Sequence, residues 1–253
     1  MGMKIKKTHV WQLVSLVLLI ALVASIMTGG FGMNKGDTNA NGDEDPDPTT
    51  ATTGTATTKA DVLKLSASDV VAGDKNAPVT IIMYTDPSCP FCGGAAGGNM
   101  EVVNYLKQRD KTWEPTVPGI MTGYVDTGKV KLVFRYFPGH GSGEDAMKIL
   151  WCVNEQGSKF WELQDIFFAN QNLMEQGDTA GLKKLALNLG VDSAKLDSCL
   201  ASGKYDSRLT AEYNTGKIAG VGGTPAFFVN DQLVSGAVSF KTIKQVIESE
   251  LAK

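Results

Sequence analysis

Histidine and cysteine are scarce in this chain: two histidines, His9 and His140, and four cysteines, Cys89, Cys92, Cys152 and Cys199, in 253 residues. That scarcity works against a zinc site. A CxxC would need two further ligands at recognisable spacing, and the other cysteines and both histidines stand alone in the sequence. No basic stretch with interleaved aromatics occurs, and 24 Lys and Arg against 27 Asp and Glu leave a net charge of −3, so nucleic acid is not an expected partner. No internal repeat is present. Asp, Glu, Lys and Arg are all missing between Lys7 and Lys35, and this gap is what divides the chain.

Within the gap, residues 10–27 are rich in apolar side chains and follow three lysines, Lys4, Lys6 and Lys7. Eighteen residues at about 1.5 Å each reach roughly 27 Å, close to the ~30 Å hydrocarbon core of a bilayer. A cleaved signal peptide is the rival reading. Its apolar region is usually about 7–15 residues long, and the candidate cuts after Ser25 or Gly30 are poor. The expectation is therefore an uncleaved anchor over 1–28, with lysines inside and the body outside. Cleavage would instead release a secreted protein. Residues 29–60 change to Gly, Asn, Asp, Pro and Thr with nothing periodic to bury, which predicts a disordered linker. As a flexible coil it would reach about 30 Å. Residues 61–253 are enough for one domain with a sizeable core.

What the body does contain is Cys89-Pro90-Phe91-Cys92, directly after a strand-like run at 79–84 and before a helix-like segment. At such a junction the first sulfur lies over a helix N-terminus, where unpaired N–H groups and the dipole favour an anion. Settings of this kind bring a cysteine pKa from about 8.5 into roughly 3.5–7.5, and the thiolate is the reactive species. Pro90 suits the first helical turn, where its missing N–H has no partner to lose. A redox site is the leading reading. A purely structural Cys89/Cys92 disulfide would constrain too short a loop to stabilise much. Binding of Cu(I) by the two soft thiols also remains open.

Further along, residues 129–137 predict a second strand, alternating apolar and polar. Residues 226–229 and 232–234 flank Asn230-Asp231 as a hairpin. Helical spacing marks 143–154, 158–170, 179–189, 194–201, 205–218 and 239–252. The order is strand, helix, strand, helical block, hairpin, helix: an α/β domain with a helical insertion at about 140–219.

This order, with CPFC after the first core strand and Gly223-Thr224-Pro225 before the hairpin, resembles the thioredoxin fold and, more closely, the DsbA-like disulfide oxidoreductases. The resemblance covers roughly residues 70–251. It is carried also by Gly73-Asp74-Lys75-Asn76-Ala77-Pro78, Asp126-Thr127-Gly128-Lys129-Val130, Asn154-Glu155-Gln156-Gly157 with Phe160-Trp161, and the stretch 221–228. It implies that Cys89 is the nucleophile, that Cys92 is a buried resolving thiol, and that Pro225 follows a cis peptide bond against the CxxC. The Thr224 backbone would then pair with a substrate strand. Pro90 and Phe91 would tune the potential. Phe91 stands where the strongest oxidants of the family carry histidine, which implies a milder oxidant.

Three departures from the family pattern are visible. Many members of the fold have a buried acid six residues before the first cysteine, where this chain has Met83. Asp86 is nearer, but before Pro87 it reads foremost as a turn residue and only as a weak auxiliary. The run Cys92-Gly93-Gly94-Ala95-Ala96-Gly97-Gly98 predicts either a broken helix or close packing against another backbone, because interior glycine costs about 1 kcal/mol relative to alanine. Residues 108–119, with Trp113, Pro115 and Pro118, read as an insertion that shapes a groove or forms a surface loop.

Cys152 and Cys199 fall on two predicted helices of the insertion. An oxidising compartment favours a structural disulfide between them, with a second redox relay as the rival. His140 reads as a loop residue, and Trp151, Phe160, Trp161, Phe167 and Phe168 read as core. The sequence thus points to an extracytoplasmic, membrane-tethered thiol:disulfide oxidoreductase that introduces disulfides into unfolded or reduced exported proteins, without cofactor or metal. By the resemblance, its reoxidant would be a quinone-linked membrane protein of the DsbB or VKOR-like type. The same site run as a reductase or isomerase, and a non-catalytic copper- or client-binding module, are the alternatives.

Overall fold

The computed structural model describes residues 57–253 apart from 140. The expected anchor (1–28), most of the expected linker (29–60) and His140 lie outside the described residues. The first described element, α1 (Lys59–Val62), begins inside the stretch read as linker, with Thr58 and Asp61 forming a reciprocal N-terminal cap. Among the described residues no helix is long and apolar enough to cross a membrane.

Five strands form one mixed sheet: β1 (Val71–Ala72), β2 (Val79–Thr85), β3 (Val130–Tyr136), β4 (Ala226–Val229) and β5 (Gln232–Ser235), in the order β1-β3-β2-β4-β5. β2 is parallel to β3 and antiparallel to β4, while β1 and β5 pair antiparallel at the two edges. Between β2 and β3 lie α2 (Pro90–Ala96), α3 (Met100–Arg109) and α4 (Thr116–Ile120), the last running on as a π-helical turn over Met121–Val125. The helical insertion follows β3 as α5 (Glu144–Asn154), α6 (Phe160–Ala169), α7 (Asn172–Glu175), α8 (Thr179–Asn188), α9 (Ser193–Ala201) and α10 (Asp206–Ala219). After the hairpin, α11 (Phe240–Leu251) closes the chain.

β2 reads as a continuous apolar run because both faces of the central strands are covered. Ile81, Met83, Leu132, Phe134 and Tyr136 join one core with Cys89, Cys92, α5, α6 and α11. Ile82, Tyr84, Val133 and Phe228 join a second core with Val62 of α1 and Ala219 of α10. β3 departs from the expected alternation at Arg135, which is only 4% exposed. Its guanidinium donates to both carboxylate oxygens of Asp69 (3.0 and 2.8 Å) and to the carbonyls of Val62 (2.5 Å) and Lys64 (2.8 Å). Residues 62–69 therefore cover this position, and the paired charges compensate one another's burial.

The glycine-rich run shows both expected behaviours. Gly97, at φ 80°, caps α2 in the left-handed conformation, and Asn99 then caps α3 by accepting from the Val102 N–H at 3.1 Å. A Cβ at Gly98 would stand 2.8 Å from the Phe168 carbonyl carbon and 2.9 Å from the Ala169 nitrogen, so the end of α6 is seated on the glycine backbone. The 108–119 segment forms no open loop. Trp113 is buried and donates from Nε1 to the Ala237 carbonyl (3.1 Å), and Thr116 Oγ1 donates to the Val238 carbonyl (2.5 Å). Cys152 of α5 and Cys199 of α9 form a disulfide across 47 residues, with their Cα atoms 5.8 Å apart.

Candidate active site

β2 ends in Thr85, and the chain turns over Asp86, Pro87 and Ser88 into α2. Cys89 takes the N-cap place (φ −73°, ψ 117°), Pro90 the first helical position, and the Gly93 N–H donates to the Cys89 carbonyl at 3.1 Å. Cys89 therefore stands at the helix end whose first N–H groups have no partner within the helix, where the dipole favours negative charge, although its side chain makes no cap hydrogen bond. From the other side come Thr224 and Pro225, joined by a cis peptide bond, with Cys89 Sγ 3.5 Å from the Thr224 carbonyl oxygen. Cys89 is 1% exposed and Cys92 fully buried, whereas Phe91 between them is 41% exposed and packs edge-on against Tyr105. Both cysteines are present as thiols, not joined in a disulfide.

The two cysteines differ electrostatically. Burial pushes the Cys92 thiol well above its ordinary value of 9.0, and hydrogen bonding with Cys89 and the Cys89 charge push it further. The Asp86 backbone N–H and the Thr85 hydroxyl act in the opposite sense. Cys92 is thus the thiol held in its protonated form. A stability consequence follows for the reduced protein. Above about pH 9 the unfolded Cys92 has lost its proton and the folded one has not, so the native state binds more protons and stability falls as pH rises, by about 1.4 kcal/mol per unit for this one group. Urea unfolding of the reduced protein between pH 8 and 10.5 should show the decline, and a Cys92→Ala variant should lose it. An identical slope in both proteins would reject the assignment.

Asp86 is more than the turn residue its sequence context suggests. It is fully buried, and its carboxylate accepts from the Ser88 N–H (2.8 Å), the Ser88 hydroxyl (2.6 Å) and the Gly139 N–H (2.7 Å). Gly143 makes room for it, since a Cβ there would overlap Asp86 Oδ1, while one at Gly139 would overlap the Thr224 hydroxyl and approach Cys89 Cβ at 3.3 Å. Asp86 thereby ties the turn before the CxxC to the segment after β3. Its charge, with that of Glu144, adds to burial in holding the Tyr136 phenol well above its ordinary range. Met83 is buried in the core beneath the site.

Gln171, in the corner between α6 and α7, was not visible in the sequence as a site residue. Its Nε2 donates to the carbonyls of Pro87 (2.7 Å) and Cys89 (2.8 Å), and its Oε1 accepts from Asn99 Nδ2 (2.8 Å). Nothing in the local pattern around Phe167-Phe168-Ala169-Asn170-Gln171 marks the amide as different from any other inter-helix glutamine. Cys152 and Cys199, being bonded to each other and buried, stand apart as a crosslink between α5 and α9.

Comparison with known proteins agrees with this geometry. Residues 66–107 and 111–249 match the family described as Thioredoxin. Over 190 residues the chain is 25% identical to disulfide bond formation protein D of Bacillus subtilis, covering 72% of this chain and 76% of that one. It is also 28% identical over 187 residues to a Na(+)/H(+) antiporter NhaA 3 of Salinispora tropica, where 73% of this chain spans only 25% of the antiporter's length. The crystal structure of Wolbachia pipientis alpha-DsbA1 shares the fold with a TM-score of 0.61 and 22% identity, over 76% of this chain and 95% of that one.

Proposed function

We infer the activity from the premise that the chain belongs to the thioredoxin family, which its match over most of the described residues establishes. It is a DsbA-like protein-disulfide oxidoreductase working through Cys89 and Cys92. The observation that carries this is the asymmetry of the pair, a sulfur at the N-cap of α2 beside the Thr224 carbonyl and a buried thiol that holds its proton.

In the oxidising direction a client thiolate attacks Cys89 Sγ of the oxidised pair. The Cys89–Cys92 S–S bond breaks, and Cys92 leaves as a thiolate and takes up a proton. A second client thiolate then attacks the client sulfur of the mixed disulfide and expels Cys89. Two electrons pass from the client dithiol to the pair. The Thr224 backbone beside Cys89 supplies the pairing edge for an extended client segment. Cys89 is 1% exposed, so client entry has to uncover the sulfur.

Reoxidation needs a two-electron acceptor, and we assign it to a quinone-linked membrane protein of the DsbB or VKOR-like type. Two features support an extracytoplasmic site for the exchange. Lys4, Lys6 and Lys7 precede the long uncharged stretch, and the Cys152/Cys199 bond belongs to an oxidising compartment. An anchor at residues 1–28 would hold the site close to a membrane reoxidant at high effective concentration.

The test is the redox equilibrium of the full-length chain against glutathione, read by trapping free Cys89 and Cys92. A potential well above about −200 mV supports oxidation of clients, and one near or below about −250 mV supports the reductase direction. Absence of a reversible couple would sink the enzyme reading.

A further inference from the structure

The corner between α6 and α7 meets the CxxC turn through one buried amide. Glutamine carries two N–H donors on one nitrogen, and here both are used, on the carbonyls of Pro87 and Cys89. The glycine run accommodates this contact: a Cβ at Gly93 would overlap the Gln171 side-chain oxygen and lie 2.8 Å from its Cδ. The Phe168–Ala169 backbone seated on Gly98 brings the same corner down onto the end of α2. Residues 80 or so positions away in sequence thus bear directly on the backbone that presents the reactive sulfur.

We propose that Gln171 is a positioning residue for Cys89: through the Cys89 carbonyl it stabilises the reduced pair more than the oxidised one, and so makes the couple more oxidising. The proposal rests on the exchange function above. Its physical basis is the double duty of the Cys89 carbonyl, which accepts from the Gly93 N–H to begin α2 and from Gln171. Fixing that oxygen fixes the N-cap geometry on which thiolate stabilisation depends. In the oxidised protein the S–S bond ties Cys89 covalently to Cys92, one turn along the helix. Reduction removes that tie, and the hydrogen bonds from Gln171 then count for more in keeping the sulfur over the helix end. A couple whose reduced form is stabilised is the stronger oxidant.

Gln171→Leu removes both donors and leaves two buried carbonyls short of a partner. In the full-length chain its equilibrium with glutathione should move about tenfold towards the oxidised pair, equivalent to about 30 mV for a two-electron couple. The melting temperature of the reduced form should fall further than that of the oxidised form. Gly93→Ala provides the second variant. Alanine improves helix propensity but displaces the Gln171 amide, and it should shift the equilibrium in the same direction even if Gln171→Leu does not fold. An unchanged equilibrium in either folded variant, or equal losses of melting temperature in the two redox forms, overturns the proposal. A wild-type chain with no reversible couple instead removes the exchange function itself, whatever these variants do.

Discussion

A Cys89→Ser variant should lose thiol–disulfide exchange with a reduced client by at least about a thousandfold, down to the uncatalysed background. Serine cannot form the S–S bond on which every step depends, and its alkoxide is far harder to generate than a thiolate. Cys92→Ser should behave differently. It keeps the nucleophile over α2 but removes the buried thiol that expels the client, so it should accumulate mixed disulfides through Cys89 when offered an oxidised peptide. Mass spectrometry of the quenched reaction reads both outcomes. Equal trapping at either cysteine would mean that the N-cap place of Cys89 and the raised pKa of Cys92 do not govern the chemistry.

The second large effect concerns stability with exchange retained. Replacing Cys152 and Cys199 by serine opens a loop of 47 residues, which in the chain-entropy model costs about 4 kcal/mol. For a domain of this size that is roughly ten degrees of melting temperature. The crosslink joins α5 to α9 and bonds neither Cys89 nor Cys92, so turnover with a reduced client should persist at temperatures where the variant is folded. Thermal unfolding and a client-oxidation assay on the same sample separate the two possibilities. A folded variant without turnover would make this pair a relay for electrons.

The CxxC and its helix were legible because the signal is local: a continuous apolar strand, two thiols at i and i+3, and a proline where a first turn tolerates it. The long helices of the insertion were legible for the same reason, through their periodicity. Contacts that join distant segments were not. Asp86 reads as a turn residue because Asp-Pro-Ser is turn chemistry, while its partners over 50 residues away, the Gly139 N–H and the bare backbone of Gly143, are invisible locally. Arg135 reads as a polar position on an alternating strand because nothing in β3 reveals that residues 62–69 will fold over it. α3 was obscured by the glycines before it, and Gln171 by the absence of any pattern around it. The breaks and close approaches implied by the glycine run were readable, but their partners, Phe168 and Gln171, were not.

The Arg135 cluster also determines where mechanical load enters the domain. The guanidinium holds the Val62 and Lys64 carbonyls and the Asp69 carboxylate, and Lys59 Nζ reaches the Asp231 carbonyl in the hairpin turn at 3.0 Å. Tension arriving along the backbone from the N-terminal side is therefore taken up by α1 and the central strand β3. That clamp lies in the core with Tyr84 and Val133, whereas Cys89 and Cys92 belong to the core on the opposite face of the sheet. Force applied at the start of the described domain would thus meet α1 and the Arg135 clamp before it could reach the CxxC turn on the other side of the sheet.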